Sequence, residues 1–435
     1  MKAIILNGSS ETDTTGKRTS AALTDELHQR GWEVNHILLR AMKIGNCAGD
    51  FFCWIKNPGI CNVADANRTI AAEIATSDLL VYLTPVTFGG YAYQLKKMVD
   101  HQIQNVEPFF AQRAGETHHR KRYSHYPDIL TVGWMEKDDP QEAATFRYLT
   151  YRNAINFYAR NAVSDILMTD QPEAAIRSAV KGWLDDLARG SAPRRAELPE
   201  ASAAAAAARP PERAVLLVGS PRTRKSSSYA LGGYLFDQLA ERGVQTETFF
   251  IHTSVNSPER MQAMLGAVAA ADLVMLAFPL YVDSLPAPVI VALEQIADRP
   301  AGKGGSRPRF AALANCGFPE ADHNRPALAV CETFARQAGF EWAGALALGA
   351  GEGLVHGQPL AEAGGQAIPI KRALDLAAAA LVQGQAIPAE AADLLARPII
   401  PGWLYRIMGV YGWWQQARQY GVQNVMRRRP YLQKG

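Results

Sequence analysis

The sequence predicts two tandem α/β domains and a helical C-terminal tail, each domain a doubly wound parallel sheet between two helical layers. Three observations carry this. The chain has 435 residues, about three times the roughly 150 expected of one domain. An apolar run ending in Gly-Ser occurs twice, at Ala3–Ser9 and Ala214–Ser220, each time with the look of a buried parallel strand. Between them lies the alanine run Ala203–Ala208, preceded by a basic, proline-containing stretch and closed by Pro210-Pro211. Two prolines stop a short helix, so this segment reads as a semi-rigid linker. The expected organisation is domain 1–189, linker 190–213, domain 214–395 and tail 396–435.

The elements recur in the same order on both sides of the linker. After each Gly-Ser comes a Ser/Thr-rich turn and an amphipathic helix ending in Arg-Gly, at Asp25–Gly31 and again at Asp237–Gly243. Glycine there suits the position just past a helix C-terminus. Second strands are predicted at Trp32–Leu39 and Val244–Ile251. Third strands follow, Ser77–Pro85 and Ala271–Pro279, each ending in proline, and later ones at Ile129–Met135 and Phe310–Ala314. Strands alternating with helices imply βαβ units and sheets covered on both faces. Ligands of such sheets bind beyond the carboxyl ends of the strands, at the switch point. The Gly-Ser turns and the proline-ended loops therefore face one crevice in each domain.

Composition excludes several classes. Apolar residues make up 48% and charged residues 20%, a globular mix. A net charge of +3 is too small a bias for a nucleic-acid protein. Five cysteines do not make a secreted disulfide framework. The N-terminus lacks the long apolar stretch of a signal peptide, and no run of 18 apolar residues suggests a membrane span. The expectation is a reduced, cytoplasmic protein that forms a homo-oligomer.

The loop Gly8–Thr19 offers backbone N–H groups, hydroxyls and a helix N-terminus, all suited to a phosphate. It has neither the spacing of a Walker loop nor that of a dinucleotide fingerprint. Its counterpart Gly219–Ser228 adds Arg222, Arg224 and Lys225, and arginine can grip a phosphate with two parallel donors. The second loops, Thr84–Tyr93 and Phe278–Pro288, are less polar and suit a flat heteroaromatic ring. Gly89-Gly90 permits close backbone approach, whereas Pro286 and Pro288 remove donors that Ala92 and Gln94 keep. The first half is thus the better equipped for a ring.

These loops carry a resemblance. The strand–Gly-Ser–helix opening with TPVTFGGYAYQLKKMVDH, and the second-half GSPRTRKSSS, FPLYVDSLP and Asn315–Phe318, resemble the flavodoxin-like NADPH-dependent FMN reductases and related iron–sulfur flavoproteins. The resemblance covers most of both halves and implies tandem flavodoxin-like domains, with FMN as cofactor and NAD(P)H as electron donor. It places the FMN phosphate on Ser9, Ser10, Thr15, Lys17 and Thr19. The isoalloxazine would lie against Pro85, Val86, Thr87, Phe88 and Gly89, with Gly133 and Trp134 on its third side. The second-half equivalents are Ser220, Arg222, Ser226, Ser227, Pro279, Leu280, Tyr281 and Val282. The flavin then carries the electron transfer while the protein binds and tunes it, and no side chain is needed as a catalytic acid or base.

Related iron–sulfur flavoproteins carry four close cysteines, as a cluster needs. Here three stand at x5 and x7 spacing, Cys47, Cys53 and Cys61, with Asp50 near the expected fourth position. A redox-sensitive or vestigial loop without a metal is the expectation. The histidine-rich stretch His101–His125 reads as a surface segment or a lid, with His118, Arg122 or Tyr123 contacting the acceptor or the nicotinamide phosphate. The tail, with Trp403, Trp413, Trp414 and Arg427–Arg429, could lie on a membrane surface; packing on its own domain or a neighbouring subunit is the reading adopted. The function expected is an FMN-dependent NAD(P)H oxidoreductase reducing a small acceptor such as a quinone, a nitro or azo compound, or free flavin. The alternative is a flavodoxin-type electron carrier whose second domain is an oligomerisation scaffold.

Overall fold

The computed structural model describes residues 1–200, 208–299, 307–355 and 357–432. Most of the linker's alanine run, 203–207, lies outside them. The chain divides into two units, one of residues 1–199 with 408–435, the other of residues 200–407.

In unit 1 the strands are β1 (Lys2–Asn7), β2 (Glu33–Leu38), β3 (Leu79–Thr87), β4 (Gly90–Tyr91), β5 (Val106–Arg113), β6 (Glu116–Lys121), β7 (Asp128–Met135) and β8 (Ala162–Met168). The main sheet runs β2-β1-β3-β7-β8, with every one of these pairings parallel. The helices are α1 (Thr14–Gln29), the short α2 (Phe52–Ile55), α3 (Ala66–Thr76), α4 (Tyr93–His101), α5 (Pro140–Asn156) and α6 (Glu173–Arg189). The apolar run Ile4–Leu6 is fully buried. One helical layer, α1 and α6, packs on that sheet through Leu23, Leu27, Val180 and Trp183. Helix α1 ends where Gly31 takes φ +78°, a left-handed conformation that costs glycine nothing.

Unit 2 repeats the plan. Its strands are β9 (Arg213–Val218), β10 (Gln245–Phe250), β11 (Leu273–Pro279), β12 (Arg309–Asn315) and β13 (Glu341–Leu348). They pair in the order β10-β9-β11-β12-β13, all parallel. Helices α7 (Ser227–Glu241), α8 (Ile251–Ser254), α9 (Pro258–Ala270), α10 (Ala287–Ala297), α11 (Arg325–Gln337), α12 (Gly351–Val355), α13 (Ile368–Val382) and α14 (Ala389–Ala396) accompany them, and α15 (Gly402–Gln419) follows. In both sheets the order reverses at the first strand, which puts the switch point between β1 and β3 and between β9 and β11. Both units are flavodoxin-like α/β domains.

The histidine-rich segment is a correction. It is the antiparallel hairpin β5–β6, with Phe110 opposite His119 and Ala111 opposite His118. Alternation along β6 sends the neighbouring histidines to different partners. His118 Nδ1 lies 2.8 Å from Asn156 Oδ1, while the His119 ring meets Trp54 and Phe110. No described helix is long and apolar enough to cross a membrane.

Candidate functional site

In unit 1 three loops leave the carboxyl ends of β1, β3 and β7. Gly8 N–H donates to Leu83 O at 2.8 Å, tying the first loop to the second. Ser9 and Thr15 are buried, and Thr19 is fully buried with no partner for its hydroxyl among the described residues. Ser10 and Lys17 are exposed. Arg40, which the sequence did not single out, sends Nη1 to within 3.3 Å of Ser9 O and 3.4 Å of Ser9 Oγ.

The helix start itself is already satisfied. Asp13 caps α1, its Oδ1 accepting from Gly16 N–H at 2.9 Å and its Oδ2 from Trp134 Nε1–H at 2.8 Å. A carboxylate therefore caps the helix whose N-terminal loop the resemblance assigns to a phosphate, and like charge disfavours a second anion beside it. Pro85, Val86 and Thr87 are half-buried in β3, which folds back through a tight turn into β4. At that turn Phe88 and Gly89 have φ +55° and +83°. The freedom of Gly89 serves packing: a Cβ there would come within 2.7 Å of Thr145 Cβ on α5, and its N–H donates to Glu142 Oε1 at 3.0 Å. A Cβ on Gly133 would meet Val86 and Phe146 at 2.7 and 2.8 Å.

In unit 2 the corresponding loops leave β9, β11 and β12. Gly219 N–H donates to Ala277 O at 2.8 Å, the counterpart of the Gly8 bond. Ser226 caps α7, accepting from Tyr229 N–H at 3.1 Å and donating to Thr223 O at 2.6 Å. Ser220 is buried, and Ser227, at the first position of α7, is buried with no partner for Oγ among the described residues. Arg222 reaches Glu352 on α12, Nη1 to Oε1 at 2.6 Å. Gly357, with φ +66°, closes the loop after α12 so tightly that a Cβ would lie 2.1 Å from Lys225 O.

The ring-side loop of unit 2 follows the geometry of unit 1. Pro279, Leu280, Tyr281 and Val282 are half-buried. Tyr281 and Ser284 exchange backbone bonds of 2.9 and 3.1 Å around Val282 and Asp283, whose φ values are +48° and +57°. A β-branched residue in that region is strained, and such strain concentrates at functional sites. Asn315 fixes the third loop, its Nδ2 donating to Ser228 Oγ at 2.8 Å and to Phe278 O at 3.0 Å. Pro286 caps α10 as Ala92 caps α4. The donor that Ala92 keeps is spent inside the protein, on Thr84 Oγ1 at 3.0 Å.

The fit to FMN differs between the units. Unit 2 offers a helix N-terminus capped by the neutral Ser226 hydroxyl, an orphaned buried hydroxyl at Ser227 and the Arg222 guanidinium, which reaches Glu352 and, at 3.4 Å, Lys225 O; these suit a phosphate. Unit 1 has the orphaned Thr19 hydroxyl but a carboxylate on the helix start. The two acids that matter, Asp13 and Glu352, were not assigned from the sequence. Asp13 was legible as an N-cap, since aspartate before a polar helix start is a capping signal. Glu352 stands 130 residues from Arg222 and had no local signal.

The lid residues require correction. His118, Arg122 and Tyr123 are buried. The Arg122 guanidinium donates to four carbonyls, those of Gln104, Val106, Met426 and Arg428, at 2.8–3.0 Å. It fastens the C-terminal segment to the hairpin and is not available to a substrate. Cys47, Cys53 and Cys61 are free thiols lining one small cavity with Asp50 and His101. Burial pushes the Cys47 thiol up to about 12, which makes it a poor nucleophile. No group of three or more metal-ligating side chains is arranged to hold an ion among the described residues.

Comparison with known proteins follows the duplication. The model of the family described as NADPH-dependent FMN reductase matches residues 1–115 and 213–344. No curated protein sequence matches the chain. Among solved structures, similarity extends to an FMN-dependent NADH-azoreductase from Bacillus anthracis solved with FMN, at 11% identity, covering 39% of this chain and 99% of that one, with a TM-score of 0.31. It extends also to an NAD(P)H:quinone oxidoreductase from Methanothermobacter marburgensis, at 16% identity, covering 34% and 88%, with a TM-score of 0.26. With the family model matched in both units over more than half its length, the chain belongs to the NADPH-dependent FMN reductase family and is a flavoprotein oxidoreductase.

Proposed function

We propose that the protein is an NAD(P)H-dependent FMN oxidoreductase that reduces a small acceptor, a quinone, a nitro or azo compound or free flavin, and that its flavin is held by unit 2. The carrying observation is the buried, unpartnered Ser227 hydroxyl at the start of α7, beside Ser220, Ser226 and Arg222. An anion there gains hydroxyl donors, first-turn N–H groups other than the Tyr229 N–H that Ser226 caps, and the positive end of the helix. FMN, when bound, supplies the hydride and electron chemistry. The chain's own residues bind and orient it. Arg222 would turn from Glu352 to the phosphate, and Pro279–Val282 would form the wall beside the ring. Asn315 holds that wall in place through Phe278 O. In unit 1, Asp13 opposes phosphate binding at Ser9, Ser10, Thr15, Lys17 and Thr19, and its sheet serves as a scaffold.

The test is anaerobic mixing of the FMN-loaded protein with NADPH or NADH, followed by absorbance near the flavin maximum. Rapid bleaching, reversed stoichiometrically by a quinone, is expected. A flavin that neither nucleotide reduces, but that a chemical reductant does, would instead mark an electron carrier.

A further inference from the structure

The C-terminal helix α15 is apolar on two opposite sides, and only one of them is covered. Gly409, Trp413 and Ala417, spaced four apart, face inward. A Cβ on Gly409 would lie 2.5 Å from the Phe110 ring, Trp413 stands edge-on to Phe51 and Trp54 at 5.2 and 5.3 Å, and Ala417 is fully buried. The other side carries Trp403, Ile407, Val410, Tyr411 and Trp414, at the i, i+4, i+7, i+8 and i+11 spacing of a single face. These five are 38–60% exposed. Of the thirteen large hydrophobic side chains exposed among the described residues, ten lie in this tail. A contiguous apolar strip of that kind marks an interaction surface.

Charge identifies the occupant. Residues 396–435 contain seven Lys and Arg and no Asp or Glu, which leaves 38 cations against 42 anions, a net −4, in residues 1–395. Arg418 stacks 5.6 Å from the Trp414 ring of the strip; beyond the helix Arg428 and Arg429 are exposed, while Arg427 lies over the Phe109 ring and 3.8 Å from Glu107. Paired face to face with a second copy, this strip would bring cation against cation. Tryptophan and tyrosine over an apolar strip, flanked by arginine and free of acids, is the composition that settles at the headgroup level of an anionic bilayer. The helix is too short and too polar to cross one. We propose that the outward face of α15 docks the protein on the surface of a membrane carrying anionic lipids, lying in the plane of the interface.

The experiment is sedimentation of the full chain with extruded vesicles of phosphatidylcholine alone, or with about one-third phosphatidylserine. Binding to the anionic vesicles, weak binding to the neutral ones and release by high salt are expected. The double variant I407E/W414E abolishes binding. The triple variant R418S/R428S/R429S weakens it roughly a hundredfold, each cation near the surface being worth about a factor of five. Unchanged circular dichroism, melting temperature and bound flavin in these surface variants separate the result from misfolding and from the fate of the flavin assignment. Failure to pellet with anionic vesicles overturns the proposal. So does a concentration-dependent dimer that I407E/W414E dissociates without any vesicle binding, because it gives the strip to a second copy.

Discussion

Ser227 and Thr19 pose the same question in the two units, since each holds a buried hydroxyl with no partner among the described residues. Leaving such a group unpaired costs about 1–3 kcal/mol, and a bond to a charged phosphate recovers a comparable amount. Their surroundings separate them: α7, which Ser227 opens, is capped by the neutral Ser226 hydroxyl, whereas α1, which carries Thr19, is capped by the Asp13 carboxylate. Replacing Asp13 by Asn keeps the cap but removes the charge, and should raise FMN uptake by unit 1, read as a second equivalent of flavin at saturation. Glu294 gives a prediction about pH. Burial, with the Asp298 charge nearby, raises its carboxyl from 4.5 to about 7. The folded state therefore favours the protonated acid. The contribution of Glu294 to stability is fully present below pH 4.5, falls as pH rises toward 7 while the unfolded chain ionises first, and levels off above. E294Q should raise the melting temperature at pH 8 and leave it nearly unchanged at pH 4.5, measured by calorimetry.

Among elements, the hairpin β5–β6 shows where sequence patterning ran out. Its strand Glu116–Lys121 contains charged and imidazole residues and no apolar alternation, so nothing local announces a strand. The hairpin is instead secured from a distance. Arg122 bonds to carbonyls 304 and 306 residues away. R122A should leave those carbonyls unpaired and cost about 3 kcal/mol, and it should open the segment beyond residue 420 to limited proteolysis. R122K, with one point charge in place of the fork, should restore only part of the protection. The edge strands β8 and β13 were missed for a related reason. They are only half-buried and mix polar with small residues, whereas the central strands read directly as continuous apolar runs. The turn at Phe88-Gly89 was visible as Gly-Gly, and its close approach to α5 was not.

For the whole molecule, the repeat was the most legible feature, because two buried parallel sheets demand the same apolar runs and the same Gly-Ser exits. The division of labour between the units was not. Sequence favoured the first half on its ring loop, while the folded chain caps that half's helix with a carboxylate and the second half's with a neutral hydroxyl. Such contacts join residues like Asp13 and Trp134, 121 positions apart, and no window of sequence contains both. Nor did the chain's near-neutral total reveal its uneven charge, a net negative body followed by a tail with seven Lys and Arg and no acid. The central claim is that one FMN binds per chain, on the α7 cradle of unit 2. Its most direct test is the flavin released on denaturing wild-type, S227A and T19V proteins after saturation with FMN and gel filtration. The account predicts about one FMN per chain in wild type and T19V, and a dissociation constant roughly tenfold weaker in S227A, with loss on the column. Flavin lost in T19V and retained in S227A would contradict it.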